Sequence, residues 1–432
     1  MNDVPVPSTA PPAPTGNMLV MFEPRRKASA LAKIVADVSG RKLVHSRDYR
    51  ASALPVQEIM QSEGALNFDE LGIAVMAPPE GDTGVGFASA LSANAGVQTV
   101  RPEFWLYALD WRARHAAWMR EGISLLAEAG DVAPAFSLPA TARAAAAPPA
   151  SATWGLAAVG ADVTRFTGKG IRLAVLDTGF DLAHPDFVGR TIVSESFVPG
   201  ETVQDGQGHG THCIGTACGP ASPAGQVRYG VACEADIHAG KVLSNAGSGR
   251  ESWILAGIEW AVGHKCEVIS MSLGRAVQPG EPPDPFYERA GQFALDNGSL
   301  VIAAAGNESW RQFGIIAPVT APANAETIMA VAAVDEAMAV APFSCGGVNG
   351  SGGEVSVAGP GVDVLSSFPM PRRYERLNGT SMATPHVAGL AALLAQSDPS
   401  LRGKALWQAI EQNVRALGLP ARDAGSGLAL AP

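Results

Sequence analysis

Four polar side chains interrupt otherwise apolar stretches of this sequence, and together they are the set that acyl transfer requires. Asp177 ends the run IRLAVLD and is followed by Thr178 and Gly179. His209 lies between two glycines in DGQGHGTHCIGTACG. Asn307 closes SLVIAAAGN, and Ser381 stands at the mouth of the apolar run in NGTSMATPHVAGLAALL. A serine hydroxyl becomes a useful nucleophile when a neighbouring imidazole takes its proton, and a carboxylate fixes the imidazole tautomer and stabilises the imidazolium. An Asn amide can donate to the oxyanion of the tetrahedral intermediate.

The surroundings of Ser381 suit that chemistry. At a helix N-terminus a hydroxyl sits beside unpaired backbone N–H groups and the positive end of the helix dipole, where developing negative charge is favoured. Gly379 permits close approach of a substrate backbone, and Pro385 falls in the first turn, where a missing donor costs little. Taken singly, each residue also has a plain structural reading: turn residues for Asp177 and Asn307, a helix cap for Ser381, packed imidazoles for His212 and His386. A metal hydrolase using His209, His212 and Asp205 lacks a convincing third ligand. A peptide-binding module without activity is the remaining alternative. The joint occurrence of all four blocks favours the acyl-transfer reading.

These residues need rigid elements behind them. In 151–432, near-continuous apolar runs (IRLAVLD, ADIHAGKVL, CEVISMSLG, SLVIAAAG, TIMAVAAVDE) alternate with helical patterns. Runs of this kind suit strands buried on both faces, so the spacing predicts an α/β domain with a parallel sheet covered by helices on both faces. The polar residues fall at the carboxyl ends of its strands, where ligands gather in open α/β sheets. Residues 17–109 read as β-α-β-β-α-β, with strands at NMLVMFEP, RKLVHSRDY, ELGIAVMAPP and VQTVRPEFWLYAL, which is a small α+β ferredoxin-like unit. Residues 1–16 are expected to be a disordered Pro-rich tail, and 110–150 a helical segment and linker.

Bulk properties bound the function. With 432 residues the chain has room for two or three domains, and 47% hydrophobic against 6% aromatic residues implies a core of small aliphatic side chains. A net charge of −10 argues against a nucleic-acid partner. No stretch reaches the roughly 20 apolar residues of a membrane helix. The start, MNDVPVPSTAPPAPTG, lacks the pattern of a secretory signal, which points to the cytoplasm or to an unrecognised export route. Five cysteines, none in a C-x-x-C pair, are expected to be buried free thiols.

The blocks AVLDTGFDLAHPDF, GHGTHCIGTACG, AAAGNES and NGTSMATPHVAGLAALL, in that order, resemble the signature segments of the subtilisin-like serine proteases, the subtilases. The resemblance covers essentially all of 151–432. It implies that Asp177 orients His209, that His209 is the base, that Ser381 is the nucleophile and that Asn307 completes the oxyanion hole. It implies that Gly247, Ser248 and Gly249 on one side and Ser272, Leu273 and Gly274 on the other sandwich substrate as a β-strand, with Ala304 and Gly306 lining a pocket for a large apolar side chain. Residues 17–109 resemble the family's propeptide, which implies a self-processed zymogen inhibited within its own chain and cleaved near Tyr107 to Asp110. Protein or peptide substrates, a monomer and no required cofactor are expected. Relatives often bind calcium, yet GPASPAGQVRYG replaces their Asn-rich loop and Asp186 alone is no cation cage, so no metal is assigned.

Overall fold

The computed structural model describes residues 13–24, 28–49, 54–82, 84–109, 151–350 and 352–432. The expected helical segment and linker at 110–150, and most of the expected tail, lie outside the described residues. The N-terminal unit contains β1 (Pro14–Phe22), α1 (Ala28–Ser39), β2 (Val44–His45), α2 (Val56–Ser62), β3 (Ala65–Phe68), β4 (Ile73–Met76), α3 (Val85–Ser92) and β5 (Val97–Ala108). Residues 14–16, expected in the tail, instead begin β1, where Pro14 pairs with Phe104.

The second strand of this unit is not where the residue pattern put it. RKLVHSRDY forms only the short β2 and a 3₁₀ turn, because charged residues hem in its apolar pair. The fully buried ALNF of β3 takes the position beside β4. Alternate residues then face two ways. Met18, Val20, Phe22, Ala74 and Met76 pack with Leu31, Val35, Phe87 and Leu91 from α1 and α3. Leu19, Met21, Leu66, Phe68, Ile73 and Val75 turn the other way, into a core shared with the larger unit.

The larger unit runs α4 (Trp154–Val159), β6 (Arg172–Asp177), β7 (Ile192–Ser196), α5 (His209–Cys218), β8 (Asp236–Lys241), β9 (Ser248–Arg250), α6 (Glu251–Gly263), β10 (Val268–Met271), β11 (Leu273–Gly274), α7 (Pro285–Asp296), β12 (Leu300–Ala304) and β13 (Met329–Val334). It continues with β14 (Val357–Pro360), β15 (Val364–Ser367), β16 (Tyr374–Leu377), α8 (Thr380–Ser397), α9 (Gly403–Gln412), β17 (Val414–Arg415), α10 (Ala421–Ala424) and β18 (Leu428–Ala429). Its nine-stranded sheet has the order β17-β18-β14-β13-β12-β10-β6-β8-β7, and all neighbouring pairs from β18 to β7 are parallel. Leu173, Val175, Ile302 and Val331 face Ile214, Met382, Val387 and Leu390 of α5 and α8. Ala174, Leu176, Val301 and Ala330 face Trp253, Ile254, Phe286 and Tyr287 of α6 and α7. Helices thus cover both faces, the α/β arrangement that doubly apolar strands require. Among the described residues, no helix is long and apolar enough to cross a membrane.

The units meet through main chain as well as side chains. The end of β5 runs between β9 and β11, antiparallel to both: Trp105, Leu106 and Tyr107 pair with Arg250, Gly249 and Ser248, while Tyr107 and Ala108 pair with Gly274 and Leu273.

Core packing around α8 is tight. A Cβ on Gly389 would lie 2.6 Å from Val231 Cβ and 3.1 Å from the Ala217 carbonyl oxygen. Gly389→Val is expected to cost at least about 1–3 kcal/mol, read in calorimetry as a Tm several degrees lower.

Candidate active site

Asp177 is the last residue of β6 and His209 the first of α5. The crossing of α5 over the sheet brings His209 Nδ1 to 2.8 Å from Asp177 Oδ1, with both side chains almost fully buried. Burial alone would push the imidazole pKa down. The adjacent Asp177 carboxylate outweighs it, so the pKa stands well above 6.5. The N-terminus of α5 is anchored by Asp205, whose Oδ1 accepts from Gln207 N, Gly208 N and Thr178 Oγ1, and whose Oδ2 accepts from Thr211 N and Oγ1. Cys213, one turn on, has Sγ 3.9 Å from His209 Nδ1 and 3.6 Å from the Ser381 carbonyl oxygen, tying α5 to α8. Burial pushes its thiol pKa up, so it stays protonated at neutral pH.

Ser381 lies in the first turn of α8 and is fully buried beneath the end of the N-terminal unit. Its Oγ donates to the Leu109 carbonyl oxygen at 3.0 Å and to the Ser272 carbonyl oxygen at 3.2 Å. Asn307 Nδ2 donates to the same Leu109 oxygen at 2.6 Å. His209 Nε2 has no hydrogen-bond partner among the described residues, so the serine proton is turned toward the occupying carbonyl rather than toward the imidazole. Ala108 N donates to the Gly247 oxygen at 2.9 Å and Leu109 N to the Ser272 oxygen at 3.3 Å, which completes the pairing on both sides.

Among the supporting residues, Thr380 and Lys241 carry no signal in the sequence, whereas Ser272, Ala304 and Gly306 are expected from it. Thr380 donates from N and Oγ1 to Asn307 Oδ1, both at 2.9 Å, so the amide can present only Nδ2 to Leu109. Ser272 Oγ donates to the Ser381 carbonyl at 2.8 Å. Lys241, fully buried at the end of β8, donates to the Thr178 carbonyl and lies 3.1 Å from Glu201, steadying the loop after Asp177. Gly306 has φ +114°, and a Cβ there would strike Thr320 and Glu308. Ala304 ends β12 and is buried, without a direct contact to Leu109 in the hydrogen-bond network. His212 Nε2 donates to the Val364 carbonyl and His386 Nδ1 to the Met382 carbonyl, and burial lowers their pKa to about 3 and about 4. All five cysteines are buried and free. A cavity of about 830 Å³ between the units is lined by Ser46, Glu70, Glu259 and Trp260, and by none of Asp177, His209, Asn307 or Ser381.

Residues 168–428 match the subtilase family model. The chain belongs to the subtilase family. It is 40% identical over 255 residues to subtilisin E of Bacillus subtilis, covering 59% of this chain and 62% of that one. It is 40% identical over 255 residues to the subtilisin of Bacillus pumilus, covering 59% and 86%, and 39% identical over 272 residues to subtilisin Savinase of Lederbergia lenta, covering 62% and 93%. The match thus spans just over three fifths of the length of subtilisin E.

Members of this family commonly hold calcium, and in this subtilase Asp186 does not offer a calcium ligand. Its carboxylate, 1% exposed, already receives Arg373 Nη2 at 2.9 Å, Tyr229 Oη at 2.6 Å, and Tyr374 Oη at 3.0 and 2.9 Å. Donors surround it where oxygen ligands would be needed, and a guanidinium supplies the positive charge. Among the described residues, the only cluster with metal-ligand spacing is Asp177, His209 and Cys213.

Burial raises the Asp186 pKa, and the hydrogen bonds from Tyr229, Arg373 and Tyr374 more than reverse this, leaving it below 3.8. A depressed carboxylate stabilises the fold above its unfolded pKa and stops doing so as pH falls through the folded value. Asp186→Asn is therefore expected to lower Tm at pH 7 and to converge on the parent as pH falls below about 4.

Proposed function

We propose that this subtilase is a serine endopeptidase, made as a zymogen that cuts its own chain after Leu109. The observation that carries the reading is the Leu109 carbonyl, held by both Ser381 Oγ and Asn307 Nδ2 while the preceding main chain is paired on both edges. That is how an acyl group, or the carboxylate product of its hydrolysis, lies against a nucleophile and an oxyanion donor.

In the proposed reaction Ser381 Oγ turns from the Leu109 oxygen to His209 Nε2, which removes its proton as Oγ attacks the carbonyl carbon. The oxyanion is received by Asn307 Nδ2. His209 then gives the proton to the departing amine, leaving an acyl-enzyme that water hydrolyses by the same proton path. Asp177 keeps the Nδ1–H tautomer and stabilises the imidazolium. Residues Gly247, Ser248, Gly249, Ser272, Leu273 and Gly274 bind peptide through main chain, so side-chain selection is broad. Leu109 is fully buried, which supports a preference for a large apolar residue at the cleavage point, in a pocket assigned to Ala304 and Gly306. The unit ending at Leu109 acts as the intramolecular inhibitor, because it occupies the cleft that substrate needs.

Ser381→Ala is expected to abolish casein digestion, with kcat down by roughly a millionfold, the size seen in a subtilisin. Mass spectrometry should find the parent cut between Leu109 and Asp110 and the variant intact there; identical N-termini would refute self-processing. Asn307→Ala should cost about 10²–10³-fold in kcat. Because His209 acts as a base only when neutral, kcat/KM should rise with pH through a value above 6.5. Asp177→Asn should move that limb to lower pH as well as reducing kcat.

A further inference from the structure

The strand in the cleft is held by side chains as well as by its main-chain pairing, which reaches back to Trp105. Numbering back from the cleavage point, Leu109 is P1, Leu106 is P4 and Trp105 is P5. Tyr107 at P3 points outward and is 39% exposed, so that position is not read. Trp105 is different. Its ring lies 4.8 Å from the Arg250 guanidinium carbon and meets the Trp253 ring edge-on, with centroids 5.9 Å apart at 86°. Arg250 also stands 5.9 Å from the Trp253 ring, so the cation and the indole form one corner.

Both walls of that corner belong to the catalytic unit. Arg250 ends β9 and leads directly into α6, and Trp253 sits in the first turn of that helix, 6% exposed and packed in the core beneath. The neighbouring Phe104 provides the contrast. It lies between Arg275 and Arg101, and Arg101 belongs to the N-terminal unit, so that pocket is dismantled when the unit leaves. The carboxylate facing Arg250, Glu103 at 3.7 Å, also leaves with the N-terminal unit. What remains is a guanidinium beside an indole, flanking a strand-binding edge.

We infer that Arg250 and Trp253 form a substrate subsite that selects an aromatic side chain at P5. The inference rests on Ser381 being the nucleophile and Leu109 being P1. A guanidinium over an aromatic face is attractive, more so when partly desolvated, and edge-to-face aromatic packing adds to it. A cationic P5 residue meets like charge at Arg250, and a small aliphatic one leaves the corner unfilled.

The test uses the self-processed enzyme and fluorogenic peptides that share Leu-Tyr-Ala-Leu at P4 to P1 and carry Trp, Phe, Ala or Lys at P5. Trp and Phe are expected to exceed Ala in kcat/KM by roughly three- to tenfold, with Lys below Ala. In Arg250→Ala and in Trp253→Ala the Trp-to-Ala ratio should collapse toward one. Cleavage of all four peptides within a factor of about two by the parent enzyme would overturn the subsite while leaving the protease reading intact, as would an undiminished ratio in both variants. Failure to cleave any of the peptides would overturn the protease reading and the subsite with it. The parent series alone decides the matter if a variant fails to fold.

Discussion

The parallel pairing of β6, β10 and β12 is the constraint on which the rest of the site depends. In a parallel sheet every strand presents its carboxyl end to the same edge, and here those ends deliver Asp177, Ser272 and Asn307 side by side. Helices α5 and α8 lie across one face of that sheet and start near the same edge, which brings His209 and Ser381 to it from distant parts of the chain. Small residues make this closeness possible. Gly210, for instance, has room for no Cβ, since one would lie 2.3 Å from the Gly179 carbonyl oxygen.

The same edge explains how the N-terminal unit is held. Its sheet has two apolar faces, one covered by its own α1 and α3, the other by its own α2 and by α6 and α7 of the larger unit. Side chains such as Leu19, Phe68 and Ile73 each contribute about 1.5–3 kcal/mol when buried, so the unit docks by completing a shared core. Polar contacts fix the register: Glu103 accepts from Ser252 N at the start of α6, and Arg101 binds Glu251 at 2.6 Å. Burial pushes the Glu251 carboxyl pKa up against the pull of Arg101, a sign of how thoroughly this seam excludes water. With docking so arranged, β5 can only enter the cleft as a third strand between β9 and β11.

Much of the candidate site was legible in the residues because its polar groups interrupt a strong apolar pattern. Asp177 and Asn307 stand where buried strands end, and His209 and Ser381 where buried helices begin, so polar residues meet at one edge of an apolar pattern. The strands behind them are continuous and aliphatic, so β6, β8, β10, β12 and β13 could be read directly. Elements with weaker patterns were not. The polar edge strand β7, IVSES, and the segment 65–68 gain their strand character from neighbours, and RKLVHSRDY reads as a strand by its central apolar residues yet has too few of them to hold one.

Sequence by itself determined which groups could react, which segments must be buried and in what order the elements follow. It could not determine what each polar atom would touch, because hydrogen-bond partners such as Thr380 for Asn307, Ser272 for Ser381 and Lys241 for the Thr178 carbonyl come from elements far apart in the chain. Nor could it show that Arg373 would stand against Asp186, or that Trp105 would meet Arg250 and Trp253. Local pattern records each residue's preference for water or for the interior. Pairing across the fold depends on distances that exist only once the sheet has closed and the helices have packed against it.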